Sequence, residues 1–297
     1  MQPTLVTADM CYWRISPDPR LGEHVLCYWM VEDAPDRSPG PRFAHGEDLL
    51  LPDGHSEIVF NRGSESFERW QLGARANSEH MRGSYVIGGR SHSVGTHTST
   101  PLRLAGVKLD SRFLREIIGV PLHEFRDSTL SLRDLGHAGL VELEERIATA
   151  SGPTAMAALL DGFLLGVLRR ARRQVSAADA LLRRIQRDRG STPIMRWARN
   201  ACVDARSLER TFCAATGMTP KQYARIIRFK RAYHCLLEPV RRPLATALEG
   251  FYDQSHFNRE FRFFTGVAPG TKLAGSMSQT TDVTDHLLQA ELAAAAR

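Results

Sequence analysis

Asp204-Ala-Arg-Ser-Leu-Glu-Arg-Thr-Phe-Cys-Ala-Ala-Thr-Gly-Met-Thr-Pro220 is answered 49 residues later by Asp253-Gln-Ser-His-Phe-Asn-Arg-Glu-Phe-Arg-Phe-Phe-Thr-Gly-Val-Ala-Pro269. The shift lays Asp204 on Asp253, Leu208 on Phe257, Arg210 on Arg259 and Phe212 on Phe261. Thr216, Gly217 and Pro220 fall on Thr265, Gly266 and Pro269. So many position types at one offset signal a duplicated supersecondary unit. Each copy reads as a short helix. Asp204 and Asp253 are N-caps that accept backbone N–H bonds, and Gly217 and Gly266 end the helices in the left-handed conformation. Leu208 with Phe212, and Phe257 with Phe261, lie four apart and form the apolar stripe.

The faces opposite those stripes are polar. Arg206, Glu209 and Arg210 share one face of the first helix. Gln254, Ser255, His256, Asn258, Arg259 and Arg262 occupy the second. These are the side chains that read base edges, arginine matching guanine and asparagine or glutamine matching adenine. A helix precedes each copy, at Ile194–Val203 and at Leu244–Glu249, so each reads as a helix-turn-helix. Between them Pro220–Leu237 reads as an 18-residue helix, opened by Thr219 and Gln222 as a capping box. At about 27 Å this rod can hold two reading helices near one DNA turn apart, roughly 34 Å.

Charge follows the same division. Residues 176–275 hold 18 Lys/Arg and 8 Asp/Glu, a balance of +10, whereas residues 1–175 and the tail 276–297 each carry −2. Basic charge therefore sits where phosphate binding would need it. Lys221, Arg225, Arg228 and Arg262 are the candidates for DNA phosphate contacts, with Lys230 and Arg231 beside them.

The residues from about Ala177 to Ala274 resemble the DNA-binding domain of the AraC/XylS family of bacterial transcription regulators. The most specific part is Gly250-Phe-Tyr-Asp-Gln-Ser-His-Phe-Asn-Arg-Glu-Phe-Arg, followed by Phe264-Thr-Gly-Val-Ala-Pro269. The resemblance implies base reading by Arg206, Glu209 and Arg210 from the first unit, and by Gln254, Ser255, His256, Asn258 and Arg259 from the second. It also implies promoter DNA and RNA polymerase as partners. Ala245-Thr246 and Glu249 depart from the family pattern, so the supporting helix of the second unit is expected to be short.

At 297 residues the chain has room for two domains, each with its own core. The first 175 residues read as α+β: a small β-barrel or rolled sheet followed by helices. Strands are expected at His24–Glu32, Glu57–Asn61, Ser66–Leu72, Ser84–Gly88 and Pro101–Leu109, with a turn at Leu51–His55 and a loop at Asp33–Arg42. Asp110 caps a helix that Gly119 stops, and longer helices follow at Gly139–Ala150 and Thr154–Arg173. The boundary falls near Gln174–Ala178, giving a sensing or dimerisation domain over 1–175, an all-α DNA-binding domain over 176–275 and a tail over 276–297. The N-terminal layout resembles the sensing domain of one AraC-like subgroup, through Tyr28-Trp29, Leu51-Pro-Asp-Gly54 and Gly106-Val-Lys-Leu109. Trp29, Phe60, Trp70 and Tyr85 would line a sheet that holds a small apolar or aromatic effector.

Other classes find little support. There is no P-loop, no Gly-x-Ser-x-Gly and no His-Glu-x-x-His. His45, His55, His92 and His97, with Glu47, match no tight ligand spacing, so neither metal nor cofactor is expected. The five cysteines are odd in number and form no Cys-x-x-Cys. Cys202, Cys213 and Cys235 sit in helical patterns and are expected to be small buried apolar groups. No apolar run approaches the roughly 20 residues that span a bilayer, and no leader is evident, so a cytoplasmic protein is expected. The competing reading is a small-molecule-binding protein or enzyme whose DNA-binding domain has decayed.

Overall fold

A computed structural model describes residues 4–6, 10–33, 48–63, 67–97, 100–171, 176–237 and 247–269. Strands β1 (Leu5–Val6), β2 (Met10–Ile15), β3 (Val25–Asp33), β10 (Arg103–Leu109), β5 (Ser56–Asn61), β8 (Tyr85–Ile87) and β11 (Thr129–Ser131) form a seven-stranded antiparallel sheet in that order. A second sheet runs β4 (Asp48–Leu50), β9 (Val94–His97), β6 (Phe67–Gln71), β7 (Glu79–Met81). Of the two expected forms, the closed barrel is not made: β1 and β11 stand at opposite edges of the larger sheet.

Period-two alternation sorts the side chains of the larger sheet. Tyr28, Met30, Ile58, Phe60, Val86, Ala105 and Val107 enter one core. Their neighbours Val31, Val59, Tyr85, Ile87 and Leu104 turn the other way, where Phe67 and Met81 of the smaller sheet meet them. Helices α1 (Ser111–Ile118), α2 (Ala138–Ala148) and α3 (Pro153–Arg170) cover the first face through Phe113, Leu143 and Leu160. Asp110 caps α1 by accepting the Arg112 N–H, and Gly119 ends it at φ 71°. Arg62 ties β5 to the end of α2. Its Nε donates to the Ile147 carbonyl, where the helix dipole favours a cation, and its Nη1 pairs with Glu32.

The C-terminal part is all helical: α4 (Ala177–Arg187), α5 (Ile194–Asn200), α6 (Ala205–Thr216), α7 (Pro220–Leu237) and α8 (Gln254–Thr265). Ser176 and Asp179 make a reciprocal capping box for α4, and Thr219 and Gln222 make another at the start of α7. Of the helix expected at Leu244–Glu249, Ala247 and Leu248 are helical, while 244–246 lie outside the described residues, as do loop residues 34–42. All five cysteines are free. Cys202 corrects the expectation of burial: it is exposed at φ 53° in the turn between α5 and α6, because the helical pattern ends at Asn200.

The two parts share a core. Leu49 and Leu51, from the N-terminal part, pack among Phe212, Tyr223, Phe229 and Phe261. The turn at Gly54 sits so close to α7 that a Cβ there would lie 3.0 Å from the Tyr223 ring. Arg112 of α1 donates to Asp179 of α4 at 2.9 Å.

Candidate nucleic-acid interface

The duplication seen in sequence is a duplication of hydrogen bonds. Asp204 accepts the Ser207 N–H at 2.7 Å, and Asp253 accepts the His256 N–H at 2.6 Å. Gly217 and Gly266 both take φ 76°. The Thr216 hydroxyl lies 2.8 Å from the Phe212 carbonyl and 3.0 Å from that of Met218. The Thr265 hydroxyl stands in the same relation to Phe261 and Val267, at 2.8 and 3.0 Å. A buried threonine thus ties off the last turn of each helix where carbonyls lose their intrahelical partners.

Both helices pack on α7, which serves them with different aromatics. Tyr223, near its start, meets Phe212 edge-on at 5.8 Å. Phe229 stacks on Phe264 at 4.3 Å and meets Phe261 at 5.9 Å. Phe212 and Phe261 are fully buried, which is worth roughly 1.5–3 kcal/mol each. With those faces fixed inward, the opposite faces point out. Arg206, Glu209 and Arg210 are exposed on α6, and Gln254, Ser255, Asn258, Arg259 and Arg262 on α8. Arg206, Glu209 and Arg210 also border a groove of about 520 Å³ between α5 and α6, beside the exposed Met195. His256 is only half exposed: its Nδ1 accepts the Tyr252 N–H, and its ring meets Phe251 edge-on.

The cations expected to meet phosphate divide into two kinds. Lys221 and Arg262 are exposed. Arg225 donates from Nε to Glu260 and lies 3.9 Å over the Phe263 ring. Arg228 donates to the Gly190 carbonyl and sits 5.4 Å over Phe251, and its burial pushes its pKa down. Arg225 thus ties α8 to α7, while Arg228 lies between the Gly190 turn and Phe251, roles that α7's sequence alone does not distinguish from solvent exposure.

The four aromatics expected around an effector are not gathered. Phe60 faces the helices, while Trp29 and Tyr85 lie on the other face of the same sheet. Each tryptophan is laid over a glycine across the strand: a Cβ on Gly106 would fall 2.4 Å from Trp29, and one on Gly95 2.5 Å from Trp70. Such aromatic–glycine pairs fix register. The pocket drawn from those four residues is therefore corrected, because strand alternation sends them to different faces. Among the described residues no group of His, Cys, Asp and Glu is placed to hold a metal ion. His45 and Glu47 lie outside them, and His55, His92 and His97 are in no such group. No described helix is long and apolar enough to cross a membrane.

Sequence reasoning missed how the N-terminal part seats both units. Segment 88–93 runs along the C-terminal ends of α6 and α8. Gly89 abuts Thr216, the His92 ring lies 5.3 Å from Phe263, and Ser93 Oγ donates to the Phe264 carbonyl. The Gly88-Gly89 pair was the one available signal, since paired glycines mark close backbone approach.

Two matched, capped helices on one rod, each with its polar face outward, define a DNA-binding domain of helix-turn-helix type, and the chain is a DNA-binding transcription regulator. Residues 197–274 match a helix-turn-helix domain family. Residues 13–131 match a domain of unknown function (DUF6597). No curated protein matches the chain. Among solved structures it is similar to ToxT from Vibrio cholerae O395, at 10% identity over 83% of this chain and 96% of that one, with a TM-score of 0.42. A second ToxT crystal form gives a TM-score of 0.44 at 10% identity over 82% and 95%. The AraC-like transcriptional activator CuxR is similar at 13% identity over 78% and 85%, with a TM-score of 0.31.

Proposed function

We propose that this protein is a cytoplasmic, ligand-responsive activator of transcription. Residues 1–175 sense a small molecule and can dimerise, and residues 176–275 bind promoter DNA and contact RNA polymerase. In this reading Arg206, Glu209 and Arg210 read bases from α6, and Gln254, Ser255, Asn258 and Arg259 from α8, with His256 at its edge. Lys221 and Arg262 meet phosphates. The observation that carries it is the pair of matched helices, each capped and buried alike and each leaving its polar face free. An effector acts by shifting the balance between arrangements of the two parts, and segment 88–93 is where that shift would be felt by both units.

The test is a gel shift with the DNA upstream of the protein's own gene, at low salt and at about 0.2 M. Tight binding that prefers this DNA over scrambled sequence, and weakens with salt, is the expected result. No binding at low salt would favour the rival in which the DNA-binding domain has decayed. Binding indifferent to sequence would favour an architectural DNA binder. A promoter–reporter fusion then separates activation from repression.

A further inference from the structure

We infer that the space between Arg69 and Arg90 is a binding site for a small carboxylate whose occupancy is passed to both helix-turn-helix units through segment 88–93. This rests on the reading of the N-terminal part as a sensor and gives that sensor a place and a chemistry.

Arg69 alternates with Trp70 along β6 and follows Phe67 onto the face turned towards the larger sheet. It is only 7% exposed. Among the described residues its guanidinium makes no hydrogen bond or close ion pair, although Glu79 lies opposite it on β7. Arg90 is 6% exposed, and its acidic partner is Glu57, 3.5 Å from Nη2. Glu57 is shared, because Lys108 Nζ stands 3.5 Å from the same oxygen, and Lys108 also pairs with buried Asp53 at 2.6 Å. Among the described residues, the buried charged groups here are three cations, Arg69, Arg90 and Lys108, against two carboxylates, Asp53 and Glu57, with Asp127 and Glu79 nearer the surface. A buried guanidinium without a partner is costly, and proteins hold buried charges in pairs. Burial, and then the charge of Arg90, push the Arg69 pKa down, and the carboxylates of Glu79 and Asp127 offset this only in part.

Arg69 and Arg90 line a cavity of about 220 Å³. Two acids also border it. Asp127 is already engaged, accepting both the N–H and the hydroxyl of Ser91 at 2.6 and 2.7 Å. Glu79 is exposed at the rim. Trp70 and Val94 give the cavity an apolar wall. The chemistry that fits is one carboxylate between two guanidiniums, which bind it in a fork, on a short body that rests against Val94. Arg90 carries the signal. Its neighbours Gly89, His92 and Ser93 are the residues seated on Thr216, Phe263 and Phe264. An anion that draws Arg90 inward therefore moves the segment that holds the ends of α6 and α8.

The experiment uses the full-length protein at ionic strength fixed with sodium chloride. Acetate, succinate, phenylacetate and inorganic phosphate are titrated by calorimetry and thermal melting. At least one carboxylate should bind and raise Tm by roughly 3 °C at ten times its Kd. Arg69→Met should weaken that binding at least tenfold, yet melt higher than the parent in anion-free buffer, because it removes an uncompensated buried charge. Arg90→Gln should also weaken binding. The bound carboxylate should change affinity for the upstream DNA at least fivefold in the parent and not in Arg69→Met. Absence of any shift up to about 10 mM, an equal shift in Arg69→Met, or response to phosphate alone would overturn the site. Binding that leaves DNA affinity unmoved would overturn the coupling. A protein that binds the carboxylate but no DNA would instead sink the regulator reading and leave the site standing.

Discussion

Gly89 and the Thr216 carbonyl approach so closely that a Cβ on Gly89 would lie 2.4 Å from the Thr216 oxygen and 2.9 Å from Met218 Cε. The first helix-turn-helix is thus seated on the N-terminal part by bare backbone. Gly89→Ala must push the segment away from α6, and overpacking of this kind costs about 1–3 kcal/mol. Urea unfolding should show that loss. Gly162→Ala in α3, where a Cβ meets nothing within 4 Å, should instead be neutral or stabilising by up to about 1 kcal/mol. Equal effects from the two would mean that the close approach is not maintained.

Arg210 and Lys221 differ in what they can contribute to DNA binding. Arg210→Ala should cost about 1–3 kcal/mol and relax preference at one base position. Lys221→Ala should weaken all sequences alike and lower the salt slope by about 1. Competition gel shifts across a salt series measure both. An unchanged sequence preference in Arg210→Ala would remove α6 as a reader.

Arg225→Ala should behave differently from either. Its pairing with Glu260 and its place over Phe263 predict a loss of stability, on the order of 1 kcal/mol or more, and a looser second unit. Thermal melting should show the loss, and Glu260→Gln should reproduce part of it. A variant that folds as stably as the parent but loses salt-dependent DNA affinity would return Arg225 to the phosphate contacts.

Asp53 and Lys108 form a buried pair beneath the turn that touches α7. Removing Asp53 leaves buried Lys108 with Glu57 at 3.5 Å as its acidic partner, so Asp53→Ala should destabilise, by less than the roughly 3–5 kcal/mol of a stranded buried charge. Asp53→Leu combined with Lys108→Met should recover much of that. A double-mutant cycle by chemical denaturation decides it, and a coupling near zero would show that water already solvates the pair.

Asp179 gives the contact between the two parts a pH dependence. Burial alone would raise its pKa, but the Ser176 backbone N–H and the Arg112 guanidinium outweigh that and hold it below the usual carboxylate range. Its stabilisation is therefore present above the unfolded-state value of about 4 and lost as pH falls through the lower folded value. The stability gap between parent and Asp179→Asn should be flat from about pH 5.5 to 8 and close in acid. A gap that closes on the alkaline side would contradict the assignment.

Much of the C-terminal domain could be read residue by residue. Asp204, Gly217, Thr219 and Gln222 act on backbone groups within four positions of themselves, and Leu208 with Phe212 needs only helical spacing. The repeat at 49 residues then made the second unit as legible as the first. The N-terminal part was half legible: β3, β5 and β10 announce themselves by β-forming runs. Strand β2 and the short strands β1, β4, β7, β9 and β11 did not, since each is strand only through the partner it pairs with. Residue type and spacing set the local grammar of caps, stripes and duplicated helices, because those energies are settled within a turn or two of chain. Long-range packing alone makes Phe60 and Tyr85 part company across a sheet, spends Arg225 on Glu260 and Phe263, and buries Arg69 beside Arg90 with no described carboxylate in hydrogen-bond reach. Those outcomes depend on distant segments meeting, and burial, not residue type, sets what a charge or an aromatic ring does.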